Sequence, residues 1–134
     1  MRIPDAEHDE LHLGERPLIV CDIDEVVLEF VTPFEAFLTH NGHELRATSF
    51  RLHGNVFNRA DGSETPGDQV SQMLEAFFEA QDEWQTPVIE AADSLSRLSE
   101  QADIVFLTAM PPRHRDVRRS LLSRHGFDYP MIAT

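Results

Sequence analysis

Two short apolar runs constrain this chain most: PLIVCDI at residues 17–23 and DIVFLTA at residues 103–109, about 80 residues apart. Each is nearly continuous in apolar, largely β-branched residues, the pattern of a strand buried on both faces of a sheet. YPMIAT, residues 129–134, is a weaker third run. From residue 87 onward the order reads helix, strand, helix, strand, which predicts an α/β fold with a parallel sheet. A parallel crossover needs only a dozen or so residues. The surplus between the first two strands is therefore an insertion, placed at residues 30–85. It follows the C-terminal end of the first strand, where open parallel sheets bind ligands. The resulting division is a polar lead-in at 1–16, an α/β core at 17–29 and 86–134, and a helical cap at 30–85.

Helix signals fill the gaps. Thr32-Pro33-Phe34-Glu35 reads as a capping box with Pro in the first turn, opening a helix that ends near Gly42. Val70, Met73, Leu74, Phe77 and Phe78 form an amphipathic stripe, with Asp68 as its N-cap. Thr86-Pro87 opens a third helix, with Val88, Ala91, Ala92, Leu95 and Leu98 on one face. Pro111-Pro112 precedes a fourth that carries Val117, Leu121 and Leu122 and ends at Gly126, a C-cap glycine. Most of Phe30, Phe34, Phe37, Phe50 and Phe57 are expected to build the small core of the cap, with one or two lining the pocket, and Trp84 packs where the cap rejoins the rest.

Charge narrows the partners. The chain has 24 acidic and 11 basic side chains, net −13, and every basic residue is Arg. Phosphate-backbone binding needs concentrated positive charge, so a nucleic-acid platform is excluded as an expectation. No apolar run approaches the roughly 20 residues of a membrane helix. The polar, acidic N-terminus is no signal or transit peptide. The lone Cys21 forms no internal disulfide, and a reducing cytoplasm is the expected compartment.

The sharpest chemical feature is Asp22-Ile23-Asp24 at the end of the first run. Strand alternation would put Asp22 and Asp24 on one side. Two such carboxylates repel, and a divalent cation relieves both; oxygen ligands of this kind suit Mg²⁺. One Asp could attack phosphorus while the other moves a proton. The plainer reading is that the pair caps a strand end. Thr108 closes the second run, where its hydroxyl and the Ala109 N–H could hold a phosphate oxygen, or simply cap the next helix. The remaining polar groups read as surface: the His40/His43 pair as a turn, Arg113, His114 and Arg115 as a solvated helix start, and Arg118, Arg119 and Arg124 as helix-surface charges.

PLIVCDIDEVVLEFVTPFEAFL followed by ADIVFLTAMPPRHRDVRRSLLSRHGF resembles the haloacid dehalogenase (HAD)-like hydrolase superfamily, on Asp22, Asp24, Val26 and Thr108. The resemblance implies a Rossmann-like, three-layer α/β/α core with a parallel sheet and an inserted helical cap. It also implies Mg²⁺-dependent phosphatase chemistry through an aspartyl-phosphate, on a small phosphorylated metabolite. Asp22 would be nucleophile and metal ligand, and Asp24 the acid/base and a metal ligand through its backbone carbonyl. Thr108 and Ala109 would bind phosphate. The superfamily's third motif, a Lys or Arg, and its fourth, an acidic pair after a further strand, have no counterpart after residue 108. The C-terminal strands that flank the first strand are also missing, so a fragment is expected. Its exposed strand edge invites self-association. The rival reading is a non-catalytic module that binds Mg²⁺ and phosphate without turnover. A receiver-like phosphoacceptor is disfavoured by the insertion, since such domains carry none between the first two strands. Arg113 is the first candidate to replace the missing basic group.

Overall fold

The structure, a computed structural model, describes residues 15–46 and 54–134. Phe50 and most of the lead-in lie outside the described residues. The chain divides into two compact units, Phe30–Gln85 forming one and residues through Glu29 together with Thr86–Thr134 the other.

The split unit is α/β. Strands β1 (Leu18–Asp22), β4 (Asp103–Thr108) and β5 (Met131–Ala133) form a parallel sheet in the order β1-β4-β5. Its register pairs Leu18 with Asp103 and Asp22 with Leu107, then Phe106 with Met131 and Thr108 with Ala133. Helices α4 (Ala91–Ser99) and α5 (Arg115–Arg124) supply Ala91, Leu95, Leu121 and Leu122 to the core, where they pack with Ile23, Ile104, Phe106, Phe127 and Met131. All lie on one face. On the opposite face Leu18, Val20 and Leu107 are 37, 57 and 40 % exposed, while Val105 at the middle of β4 is 2 % exposed. Among the described residues, α4 and α5 pack on one face of the sheet. β1 is an edge strand open on one face, not one buried on both. Continuous apolarity reports what a strand can tolerate; coverage is set by what packs on it.

The inserted unit is less purely helical than its sequence suggests. It holds α1 (Val31–His40), α2 (Gly67–Glu79) and a single turn, α3 (Gln81–Trp84), with an antiparallel pair, β2 (His43–Leu45) and β3 (Val56–Asn58). Its centre is aromatic. Phe77 meets Phe30, Phe34 and Phe37 at 5.6, 5.1 and 5.5 Å between ring centroids, mostly edge-on, the arrangement the ring quadrupoles favour. Trp84 packs edge-on against Phe37. The α2 stripe buries Val70, Phe77 and Phe78 as its periodicity requires.

Several helix starts move. Phe30, not Thr32, is the N-cap of α1, and no side-chain cap bond forms there, so the capping box is not realised. Pro66, not Asp68, caps α2, and Asp68 lies in its first turn. α4 begins at Ala91 instead of Thr86, because residues 86–88 are taken up in extended pairing: Val88 N–H donates to Val27 O at 2.9 Å and Pro87 bridges to Leu28. Ala92 consequently falls on the exposed side, and Leu98 keeps 45 % of its surface. Gly126, with φ +85°, follows α5 as the left-handed C-cap expected of it.

Candidate functional site at the carboxyl end of the sheet

β1 stops at Asp22 because the chain turns at once. The N–H groups of Val26, Val27 and Leu28 all converge on the Ile23 carbonyl at 2.8–3.1 Å, and Glu25 N–H bonds to Leu28 O at 2.8 Å. Glu25 sits at φ +67°, a left-handed conformation unusual for a non-glycine residue. Ile23, Val27 and Leu28 are fully buried and anchor the turn. Alternation holds as far as Ile23, which joins the core beside Ile19 and Cys21. Past it the turn redirects the chain, so Asp24 does not share a side with Asp22.

The two carboxylates therefore meet different surroundings. Asp22 is exposed, and its Oδ1 accepts the Ile23 N–H at 2.8 Å. It lines an open hollow of about 360 Å³ with Val20, Leu107, Ala109 and Thr134. Asp24 instead engages Arg118 of α5: Nη1 donates to Oδ2 at 2.9 Å and Nη2 to Oδ1 at 2.8 Å. The guanidinium side chain is 0 % exposed and the carboxylate side chain 25 %. Arg118 Nη1 also donates to Thr108 Oγ1 at 3.2 Å, which accepts the Met110 N–H at 3.2 Å as well. Thr108 is 1 % exposed. The four residues singled out from sequence thus fall into two pairs. Asp22 and Ala109 share the hollow on the open face, while Asp24 and Thr108 share Arg118 on the covered one.

Arg118 is the residue that sequence reasoning missed. It is not a surface charge but the largest fully buried side chain among the described residues. One signal could have found it: it lies three and four residues before Leu121 and Leu122, on the apolar stripe of α5. A lone cation on such a stripe demands a buried partner. Arg113, by contrast, is exposed. His114 is 3 % exposed, so the helix start it belongs to is not wholly solvated. Arg119 is half-buried and donates to the carbonyls of Tyr129 at 2.6 Å and Phe127 at 2.7 Å, tying α5 to the approach to β5. Burial pushes its guanidinium pKa down, with Asp128 opposing. Burial pushes the Cys21 thiol up, and the Asp22 charge adds to that.

Among the described residues no three His, Cys, Asp or Glu side chains come together as a metal-binding group. Both Asp24 oxygens face Arg118. What fits Mg²⁺ here is the Asp22 carboxylate, a single donor for an ion that keeps several waters and takes one or two carboxylates plus phosphate. His43 Nδ1 lies 3.0 Å from Thr65 Oγ1, and His40 packs on Trp84, an arrangement that needs no zinc. No described helix is long and apolar enough to cross a membrane. Compared with protein-family models, curated proteins and solved structures, the chain matches none.

Proposed function

We propose that this chain carries the phosphoryl-transfer site of a HAD-like, Mg²⁺-dependent phosphatase acting on a small phosphorylated metabolite. The observation that carries the reading is the register: Asp22 pairs with Leu107, so the first Asp and the Thr108-Ala109 step end adjacent parallel strands. Ligands of open parallel sheets bind at that end. In the proposed reaction a carboxylate oxygen of Asp22 attacks phosphorus, and the ester oxygen departs with a proton from the Asp24 carboxyl. Water, losing its proton to Asp24, then cleaves the aspartyl-phosphate and releases phosphate. Mg²⁺ would be held by the Asp22 carboxylate and the Asp24 main-chain carbonyl, and would supply charge to offset the phosphate. A cytoplasmic setting accords with the single thiol.

A second reading, a module that binds Mg²⁺ and phosphate without turnover, draws support from the pairing of Asp24 with Arg118 and the burial of Thr108. Both keep the proton-moving and phosphate-holding groups away from the Asp22 hollow. The test is Mg²⁺-dependent hydrolysis of a chromogenic phosphate ester. Slow turnover that Asp22→Asn removes is the expected result. Turnover unchanged by Asp22→Asn sinks the nucleophile assignment, and none in the wild type, with phosphate still bound, leaves the second reading.

A further inference from the structure

We infer that Arg118 is an anion-binding residue masked by Asp24, and that a phosphate oxyanion takes the carboxylate's place on its guanidinium. The choice of phosphate rests on the phosphatase reading; the masking rests on geometry. The guanidinium is wholly buried while a quarter of the Asp24 side chain reaches solvent. The carboxylate therefore occupies the water-facing side of the pair, where an incoming anion arrives first. Its two parallel bonds at 2.8 and 2.9 Å use the planar fork that serves carboxylate and phosphate equally. Exchange leaves the released carboxylate beside water, where its desolvation cost is small.

Thr108 is placed to complete the anion's shell. Its oxygen accepts two bonds, from Met110 N–H and from Arg118 Nη1. A hydroxyl has two acceptor sites and one proton. With both sites filled, the proton is what Thr108 has to give, and it suits an anion's oxygen rather than a cation. Asp24 also follows the last strand residues and precedes the strained Glu25, so the backbone beside it is already turning. The excess of acidic residues opposes any anion, so wild-type affinity for phosphate should be weak, about millimolar.

Calorimetric titration of the full chain with inorganic phosphate, at ionic strength fixed with chloride, tests this. Asp24→Asn removes the competing charge and should tighten phosphate binding at least about tenfold. The double variant Asp24→Asn/Arg118→Gln, a neutral pair without the guanidinium fork, should lose that gain. No gain in Asp24→Asn, or a gain kept in the double variant, overturns the inference. Should Asp24→Asn be unfolded in chloride, phosphate is expected to restore a cooperative thermal transition, and failure to restore it also overturns the inference. The phosphatase reading is judged separately by ester hydrolysis and Asp22→Asn. Absent hydrolysis with the Asp24→Asn gain intact would sink that reading and keep this one.

Discussion

The two faces of the β1-β4-β5 sheet carry neighbouring residues in opposite circumstances. On the covered face Ile104 and Phe106 are 4 and 0 % exposed; on the other face only Val105, at the centre of β4, is as buried (2 %), and Val20 and Leu107 are 57 and 40 % exposed. Charges follow the same division. Asp22, on the open side, needs only water and its neighbour's N–H. Asp24, turned to the covered side, is met by a buried cation. Position along a strand end thus decides less than which face a side chain joins. The desolvation a face imposes determines whether a carboxylate must have a partner.

Two neighbours in one strand separate the two faces most clearly. Phe106→Ala should lower unfolding free energy by about 3–5 kcal/mol through the cavity it leaves, while Leu107→Ala should cost under about 1 kcal/mol. Urea midpoints measured side by side check this, and equal losses would mean that the open face is covered in solution. Next come the charges. Arg118→Met should cost about 3 kcal/mol, the lower end for a broken buried pair because Asp24 keeps some water. Asp22→Asn should stay within about 0.5 kcal/mol. Comparable losses from both would remove the distinction between the faces.

Smaller effects sharpen the same contrast. Val20→Lys should leave monomer stability within about 0.5 kcal/mol and reduce self-association in sedimentation, because it places charge on the open edge strand. Unchanged association would show that β1 is not the contact. Cys21, half-buried on the covered side, should react with iodoacetamide at pH 8 more slowly than a free thiol, its pKa being raised by burial and then by Asp22. Denaturant should remove the difference. The unfolded chain loses this proton first, so stability falls as pH climbs past the ordinary thiol value of about 8.5.

What could be read beforehand was whatever leaves a period in the sequence. The parallel strands announce themselves as continuous apolar runs, the insertion as the distance between them, and the α2 stripe of Val70, Phe77 and Phe78 through its apolar spacing. Three-residue strands such as His43–Leu45 and Val56–Asn58 carry too few positions for a period to show. Helix starts at Phe30 and Pro66 escaped because local capping rules gave way to packing and to proline geometry. The Arg118–Asp24 pair was illegible for another reason. Its partners stand 94 residues apart, and only the crossover topology brings them together. The placement of Asp22 and Asp24 failed at one step, the turn on the Ile23 carbonyl that ends strand alternation.

The insertion leaves and rejoins the sheet-bearing unit at a single junction. Glu29 N–H donates to Thr86 O at 2.8 Å, and Val88 N–H to Val27 O at 2.9 Å. The chain therefore leaves and re-enters the sheet-bearing unit at one stapled point, and the closure of the intervening segment is set by that staple rather than by its contents. Loop-closure entropy grows only slowly with length. Segments of very different size and sequence could be exchanged between Glu29 and Thr86 with the β1–β4 register undisturbed. Grafting a short glycine-rich link in place of residues 31–84 would test it, with retention of a cooperative unfolding transition as the expected result and its loss as the contrary one. A chain built this way can take up a different inserted module while the parallel sheet and its register stay as they are.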